Sequence, residues 1–332
     1  MVGKKEQKIS DLIDFVTIHD RLPAKGDVFG NTNVFALSLS IQGGKTYHCF
    51  LDRLKQHPLL EKIVEKGLLG KKKSGLSAKK LSRTLGYDDE IFKTNQQKEM
   101  TEYIPCDFLK GQDEITAPMR SVLIDWLIDV HLKFRFVPQT LFLTVYYIDR
   151  FLEKNRIAKN QFQCVGITAF FIASKFEELA YPVIDEILYM TDYTYTKEDI
   201  LRTEKQMLFS CDFKLTISTP YCFLPHLIKI SNANDKVRCT ALYILERSLQ
   251  EQDCRKYLPS MLCATSLSIA REINGQSPWT LPLKKCSIYS IQDLDTCKKE
   301  MLSWVRTKHV ELHAVYRKYK SNRYGNVSNL NF

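Results

Sequence analysis

From residue 87 the chain changes, and its apolar positions come to recur at helical spacing. Met119, Val122, Leu123, Trp126, Leu127 and Val130 fall at i, i+3, i+4, i+7, i+8 and i+11, which is one stripe along a single helix. Thr116 stands where an N-cap is wanted, and Pro118 fits a first turn. Pro138 ends this helix and opens a second one through Leu141, Val145, Ile148 and Leu152. A third helix is expected over about 159–177, a fourth from near Pro182 and a fifth from Thr196. At that last point Thr196-Lys197-Glu198-Asp199 is a capping box with Asp in the fourth place. No strand-like alternation separates these segments. Residues 1–85 lack sustained periodicity and read as a tail of low order, apart from an amphipathic piece between Pro58 and Gly67.

A repeat extends the helical reading to the rest of the chain. Thr168, Ile172 and Ala173 reappear 97 positions later as Thr265, Ile269 and Ala270, while Gly166 and Ala169 become Cys263 and Ser266. Small residues at helical spacing let neighbouring helices approach closely, so both segments are expected to be central and buried. Two similar helical units within residues 99–332 are therefore predicted.

Length and composition agree. The 332 residues exceed one ordinary core and suggest two domains with a tail. Thirteen Gly and eleven Pro exclude a collagen-like or low-complexity chain. The longest nearly apolar run, Val165 to Ala173, is far short of a membrane span, and no secretory signal or lipid anchor motif is visible. Ten cysteines are scattered with no CxxC, so neither a zinc ribbon nor a redox pair is expected, and the thiols read as small buried apolar groups.

Net charge is +10, distributed as +7 over residues 1–98, −5 over 99–215 and +8 over 216–332. This is not the basic stripe with interleaved aromatics that marks a nucleic-acid binder. Catalytic motifs fail on inspection. Gly43-Gly44-Lys45-Thr46 resembles the end of a phosphate-binding loop, but position 39 is Leu where the loop needs its first Gly. His309 and His313 share a helical spacing, but Val310 stands where a metalloprotease needs Glu. No cofactor or metal is expected, and no enzyme class finds support.

The run Met119-Arg120-Ser121-Val122-Leu123-Ile124-Asp125-Trp126-Leu127 resembles the first helix of a cyclin box. Further segments in the same order are similar to that family, nearer its B-type mitotic branch than the A-type. They are Val137-Pro138-Gln139-Thr140-Leu141, Ile148-Asp149-Arg150-Phe151-Leu152, Ile172-Ala173-Ser174-Lys175-Phe176-Glu177-Glu178 and Tyr195-Thr196-Lys197-Glu198-Asp199. The stretch from Arg317 to Ser328 resembles the family's closing segment. The resemblance implies an all-α protein of two tandem five-helix cyclin folds, at 86–215 and 216–332, preceded by a short helix at about 87–98 and a largely disordered tail at 1–85.

The function so implied is non-catalytic: binding and activating a cyclin-dependent protein kinase, recruiting substrates, and controlling passage through G2/M. Carried over residue by residue, the kinase contact involves Lys175, Phe176, Glu204 and Phe213, with Ile91 and Phe92 from the short helix. Thr94 stands there where the family has an aromatic residue. A second implied site is a patch that docks Arg-x-Leu motifs of substrates or inhibitors. It comprises Met119, Val122, Leu123, Trp126, Phe162 and Gln163, with Asp129 placed to meet the ligand's cation. In the tail, Arg21 to Asn31 resembles a destruction box but has Ala24 at the position of its Leu, and it would bring a ubiquitin ligase as partner. Lys71-Lys72-Lys73 with Lys79-Lys80 reads as a linker or a nuclear-import signal, so nucleus and cytoplasm are the expected locations. The competing class is a general transcription factor of the TFIIB type, which shares the helical fold. The missing CxxC and the acidic stretch over 99–215 count against it. Neither nucleic acid nor membrane is expected as a partner.

Overall fold

The expected helices form where their start signals stand. The structure, a computed structural model, describes residues 87–307 and 312–332. The Pro58–Gly67 segment, the Arg21–Asn31 box, the lysine cluster and His309 lie outside the described residues. Helix α1 is Asp88–Glu99, followed by α2 (Ala117–Phe134), α3 (Pro138–Lys154), α4 (Phe162–Glu177), α5 (Ile184–Met190) and α6 (Lys197–Ser210). Then come α7 (Pro220–Ile230), α8 (Asp235–Leu249), α9 (Pro259–Ile273), α10 (Leu281–Ser287), α11 (Ile291–Arg306) and α12 (Ala314–Tyr319). Among the described residues there is no strand. The capping box at α6 closes in both directions: Asp199 N donates to Thr196 Oγ1 at 3.2 Å, and Thr196 N donates to Asp199 Oδ2 at 3.0 Å. At α2 the outcome is plainer. Thr116 takes the extended N-cap conformation with Pro118 in the first turn, but its hydroxyl makes no cap bond.

The repeat holds over three consecutive helices. Helices α3, α4 and α5 start at Pro138, Phe162 and Ile184, and α8, α9 and α10 start at Asp235, Pro259 and Leu281, each 97 residues later. Both small-residue helices are interior. In α4 every residue from Cys164 to Ser174 is buried, and in α9 the same is true from Leu262 to Arg271. Gly166 shows why a small residue is needed there. A Cβ at this position would lie 2.8 Å from Leu123 Cδ1 of α2, closer than carbon atoms pack.

Residues 90–174 and 181–332 form one compact body; residues 175–180, the end of α4 and the turn behind it, fall outside it. Within that body one buried ionic cluster joins the two helical repeats. Arg120 of α2 donates to Asp149 of α3 through Nε and Nη2, both at 2.7 Å. Its third donor, Nη1, reaches Leu249 O at the end of α8, 3.0 Å away. Arg255, in the turn after α8, donates to Asp149 Oδ2 from Nε at 2.8 Å. Burial drives the Asp149 carboxyl upward, and the two guanidiniums more than reverse this, so it is held below its ordinary range.

Helix α1 precedes the first repeat in sequence but packs on the second. Phe92 meets Phe223 of α7 edge-on at 5.2 Å, and Glu99 accepts from Ser260 N and Oγ of α9 at 2.8 and 2.6 Å. The C-terminal helix α12 is locked by a buried carboxylate. Lys318 Nζ donates to both oxygens of Glu246 at 2.7 and 2.8 Å, and Tyr319 OH donates to the first at 2.7 Å. Asp125 of α2 receives the start of α12, accepting from His313 N at 3.2 Å and Ala314 N at 3.0 Å. Among the described residues Cys164, Cys211, Cys239, Cys254, Cys263 and Cys297 are buried as expected of small apolar groups, while Cys106, Cys222 and Cys286 are partly exposed; burial pushes the Cys211 thiol up to about 11 and Cys297 up to about 12.

Asp149 offers a direct test. Its replacement by Ala strands two guanidiniums in the interior, and breaking a buried pair this way costs about 3–5 kcal/mol. Urea unfolding of D149A should show a loss of that size. Because the folded-state pKa is depressed, the wild-type contribution is present above about pH 4, the unfolded carboxylate value, and is lost as pH falls through the folded one. A D149A variant as stable as wild type at pH 7 would remove the cluster from its structural role.

Candidate functional site

Helix α2 divides its apolar stripe between interior and surface. Ile124, Leu127 and Ile128 are fully enclosed. Val122 is 46% exposed, and Met119 and Trp126 are half-buried beside it. Gln163 is also half-buried, at the start of α4. These four can offer an apolar surface with a polar edge. The other two apolar residues expected in the patch belong to the interior. Leu123 is only 6% exposed and packs over Gly166, and Phe162 is buried at the first position of α4. The family resemblance put both in the patch, but Leu123 is taken up by its contact with Gly166 of α4 and Phe162 is buried. Asp129 does border the exposed stripe, three residues beyond Trp126, and it is already paired: Arg317 Nη2 of α12 donates to Asp129 Oδ2 at 2.5 Å.

A second surface centres on α6. This helix buries Ile200 and Met207, one heptad apart, and turns Leu201 and Phe209 outward. Glu204 is half-buried on the flank between these two sides. Phe213 follows the helix in a turn where two consecutive residues, Asp212 at φ 50° and Phe213 at φ 55°, are left-handed. That conformation is uncommon for any side chain and unfavourable for a bulky one. It sets the Phe213 ring edge-on to Phe209 at 5.3 Å, with both rings 60% exposed. A strained turn that presents two aromatic rings to solvent has the character of a contact surface.

The remaining expected residues stand as follows. Lys175 lies half-buried in the last turn of α4, where a cation is favoured by the helix dipole, and Phe176 follows it, also half-buried. Next along, burial raises the Glu177 carboxyl to about 7, with the charge of Glu178 adding to the rise. Ile91 is half-buried on α1. Phe92 requires correction. Its ring is enclosed between Phe223 and His226 and is part of the chain's own packing rather than an outward contact. Two residues of these surfaces went unread in the sequence. Phe209 carried a usable signal, being four residues from Phe213 at a helix end. Arg317 carried none, since its partner is 188 residues away.

Comparison with known proteins gives the following. The family profile for the cyclin N-terminal domain matches residues 90–216, and that for the cyclin C-terminal domain matches residues 218–332. Cyclin-B2-2 of Oryza sativa subsp. indica is 36% identical over 241 residues, covering 72% of this chain and 58% of the relative. The chain thus spans less than two thirds of that relative's length. Cyclin-A3-3 of Arabidopsis thaliana is 37% identical over 227 residues, covering 66% of this chain and 69% of the relative. Among solved structures, a viral cyclin from herpesvirus saimiri superposes with a TM-score of 0.57 at 20% identity, over 64% of this chain and 97% of the viral one.

The raised Glu177 carboxyl makes a prediction with a defined sign. An acid whose folded pKa lies above its unfolded value contributes stability that is complete below about pH 4, the ordinary Glu value, and is lost as pH rises through about 7. Glu177→Gln removes this dependence. Thermal melting should place E177Q above wild type at pH 8 and close to it at pH 5. The same difference at both pH values would mean that Glu177 does not titrate in this range.

Proposed function

The chain belongs to the cyclin family over residues 90–332, and from that premise we propose that it is the regulatory subunit of a cyclin-dependent protein kinase, acting in the cell cycle at G2/M. The observation that carries the reading is the exposed Phe209–Phe213 pair, held out by two left-handed residues at the end of α6. Lys175, Phe176 and Glu204 supply half-buried polar and apolar groups of the kind an interface uses as anchors. Ile91 of α1 is half-buried and is proposed as a further anchor; Phe92, enclosed in the chain's own packing, is not.

The work asked of this surface is positional. A protein kinase needs the ion pair between its β3 Lys and the Glu of its αC helix, together with an ordered activation loop. A partner that binds only the arrangement with that helix inward shifts the kinase population by its differential affinity. Such a partner must be rigid, because any rearrangement on binding subtracts from that differential. The buried Arg120–Asp149–Arg255 cluster and the interior α4 and α9 supply the rigidity. The chain itself needs no chemistry, and the kinase holds the ATP.

In this reading the half-exposed stripe of α2, formed by Met119, Val122 and Trp126, docks Arg-x-Leu segments of substrates or inhibitors together with Gln163 of α4. The tail directs turnover through a ubiquitin ligase and distribution between nucleus and cytoplasm.

Three outcomes follow. The purified chain alone should turn over no ATP, and turnover by homogeneous protein would overturn the non-catalytic reading. With a purified cyclin-dependent kinase, the K175A/E204A double variant should bind more weakly by about 2–5 kcal/mol, the cost of truncating polar anchors at an interface, while remaining folded by thermal melting. Equal activation by variant and wild type would remove these residues from the contact. Trp126→Ala should lower phosphorylation of an Arg-x-Leu substrate by about 2 kcal/mol or more in kcat/KM, as an aromatic anchor does. Activity on a short peptide lacking that motif should be spared. Trp126 is half-buried, so thermal melting must accompany the kinetics. A folded W126A with equal losses on both substrates would show that α2 carries no separate docking face.

A further inference from the structure

The acid at the edge of the α2 face is not waiting for a ligand. Asp129 lies three residues beyond Trp126 and seven beyond Val122, on the side of α2 that borders the exposed stripe. Its Oδ2 accepts from Arg317 Nη2 at 2.5 Å. The side chains remain 42% and 61% exposed, respectively, so a ligand's cation can reach the carboxylate but meets a guanidinium already on it.

The backbone that carries Arg317 is fixed on both sides by contacts that do not involve Asp129. Four residues before it, His313 N donates to Asp125, one turn back along α2 from Asp129, and Ala314 N does the same. The residue after it, Lys318, is buried and bound to both oxygens of Glu246. An ion pair between two mobile side chains loses much of its Coulombic gain to ordering. Here one partner rides on a helix already held against the other, so less ordering is needed.

We propose that Arg317 is a specificity-determining residue of the α2 docking face. It fills in cis the acidic subsite that a docking peptide's cation would take, so the face selects peptides by their apolar side chains rather than by their basic residue. This rests on the reading of α2 as a peptide-docking face. A cation arriving at Asp129 exchanges one ion pair for another and gains little. An apolar side chain settling on Met119, Val122 and Trp126 breaks no ion pair among the described residues.

The test is a cycle of two peptides against chain variants, read by fluorescence anisotropy with the full-length chain. One labelled peptide carries Arg-x-Leu and the other Ala-x-Leu in the same context. Wild type should bind the two within about 2-fold of each other. R317A and R317Q should bind the Arg peptide tighter by about 2–5-fold, the range an exposed ion pair supports, with the Ala peptide unchanged. Adding D129N to R317A should remove the gain. A preference for Arg over Ala that is the same in wild type, R317A and R317Q would overturn the proposal and leave the docking face standing. No binding of either peptide to the folded wild-type chain would overturn the docking face and the proposal with it.

Discussion

Two guanidiniums share one buried carboxylate where the two helical repeats meet. Asp149 is fully enclosed and receives Arg120 from the first repeat and Arg255 from the turn after α8. Each charge is costly to bury and is repaid only where geometry and remaining hydrogen bonds are satisfied. The bidentate contact from Arg120, and its third bond to the end of α8, meet that condition. The arrangement has little tolerance. A small rotation of one repeat against the other would strand a charge rather than stretch a soft apolar contact, so the cluster specifies one relative placement of α2, α3 and α8.

The surfaces follow from that fixed frame. With Leu123 committed to its contact with Gly166 of α4, only part of the α2 stripe reaches solvent, at Met119, Val122 and Trp126. Asp125 and Asp129, one turn apart on the same helix, both serve α12: the first receives its backbone N–H groups and the second its Arg317. The C-terminal helix therefore borders the α2 face, which carries residues from two distant parts of the chain. At α6 the same economy holds. Ile200 and Met207 anchor the helix, and the left-handed turn at Asp212–Phe213 directs an aromatic pair outward.

Helical periodicity, the start signals at Pro138 and Thr196, and the recurrence of small residues at an offset of 97 were all legible in the chain. They depend on spacing within one helix or on similarity between two, and both survive without knowledge of distant contacts. The resemblance of Met119–Leu127 and its companions added the family and the candidate residues. Sequence also marked the thiols as interior groups, which holds for six of the nine described cysteines.

What the sequence could not decide was the partner of each side chain across the fold. Phe92 and Ile91 look alike on a short helix, and only the packing of α1 on α7 and α9 encloses the first and leaves the second half exposed. Leu123 and Val122 are neighbours on one stripe, and the close approach permitted by Gly166 separates interior from surface. Arg317 and Asp129 are 188 residues apart, so no local pattern signals their pairing. The physical reason is common to all three. Periodicity tells which side of a helix is apolar, while burial and charge pairing are set by what the rest of the chain brings against that side. That is a property of the assembled helices, and here it is governed by the buried charges that hold them in one arrangement.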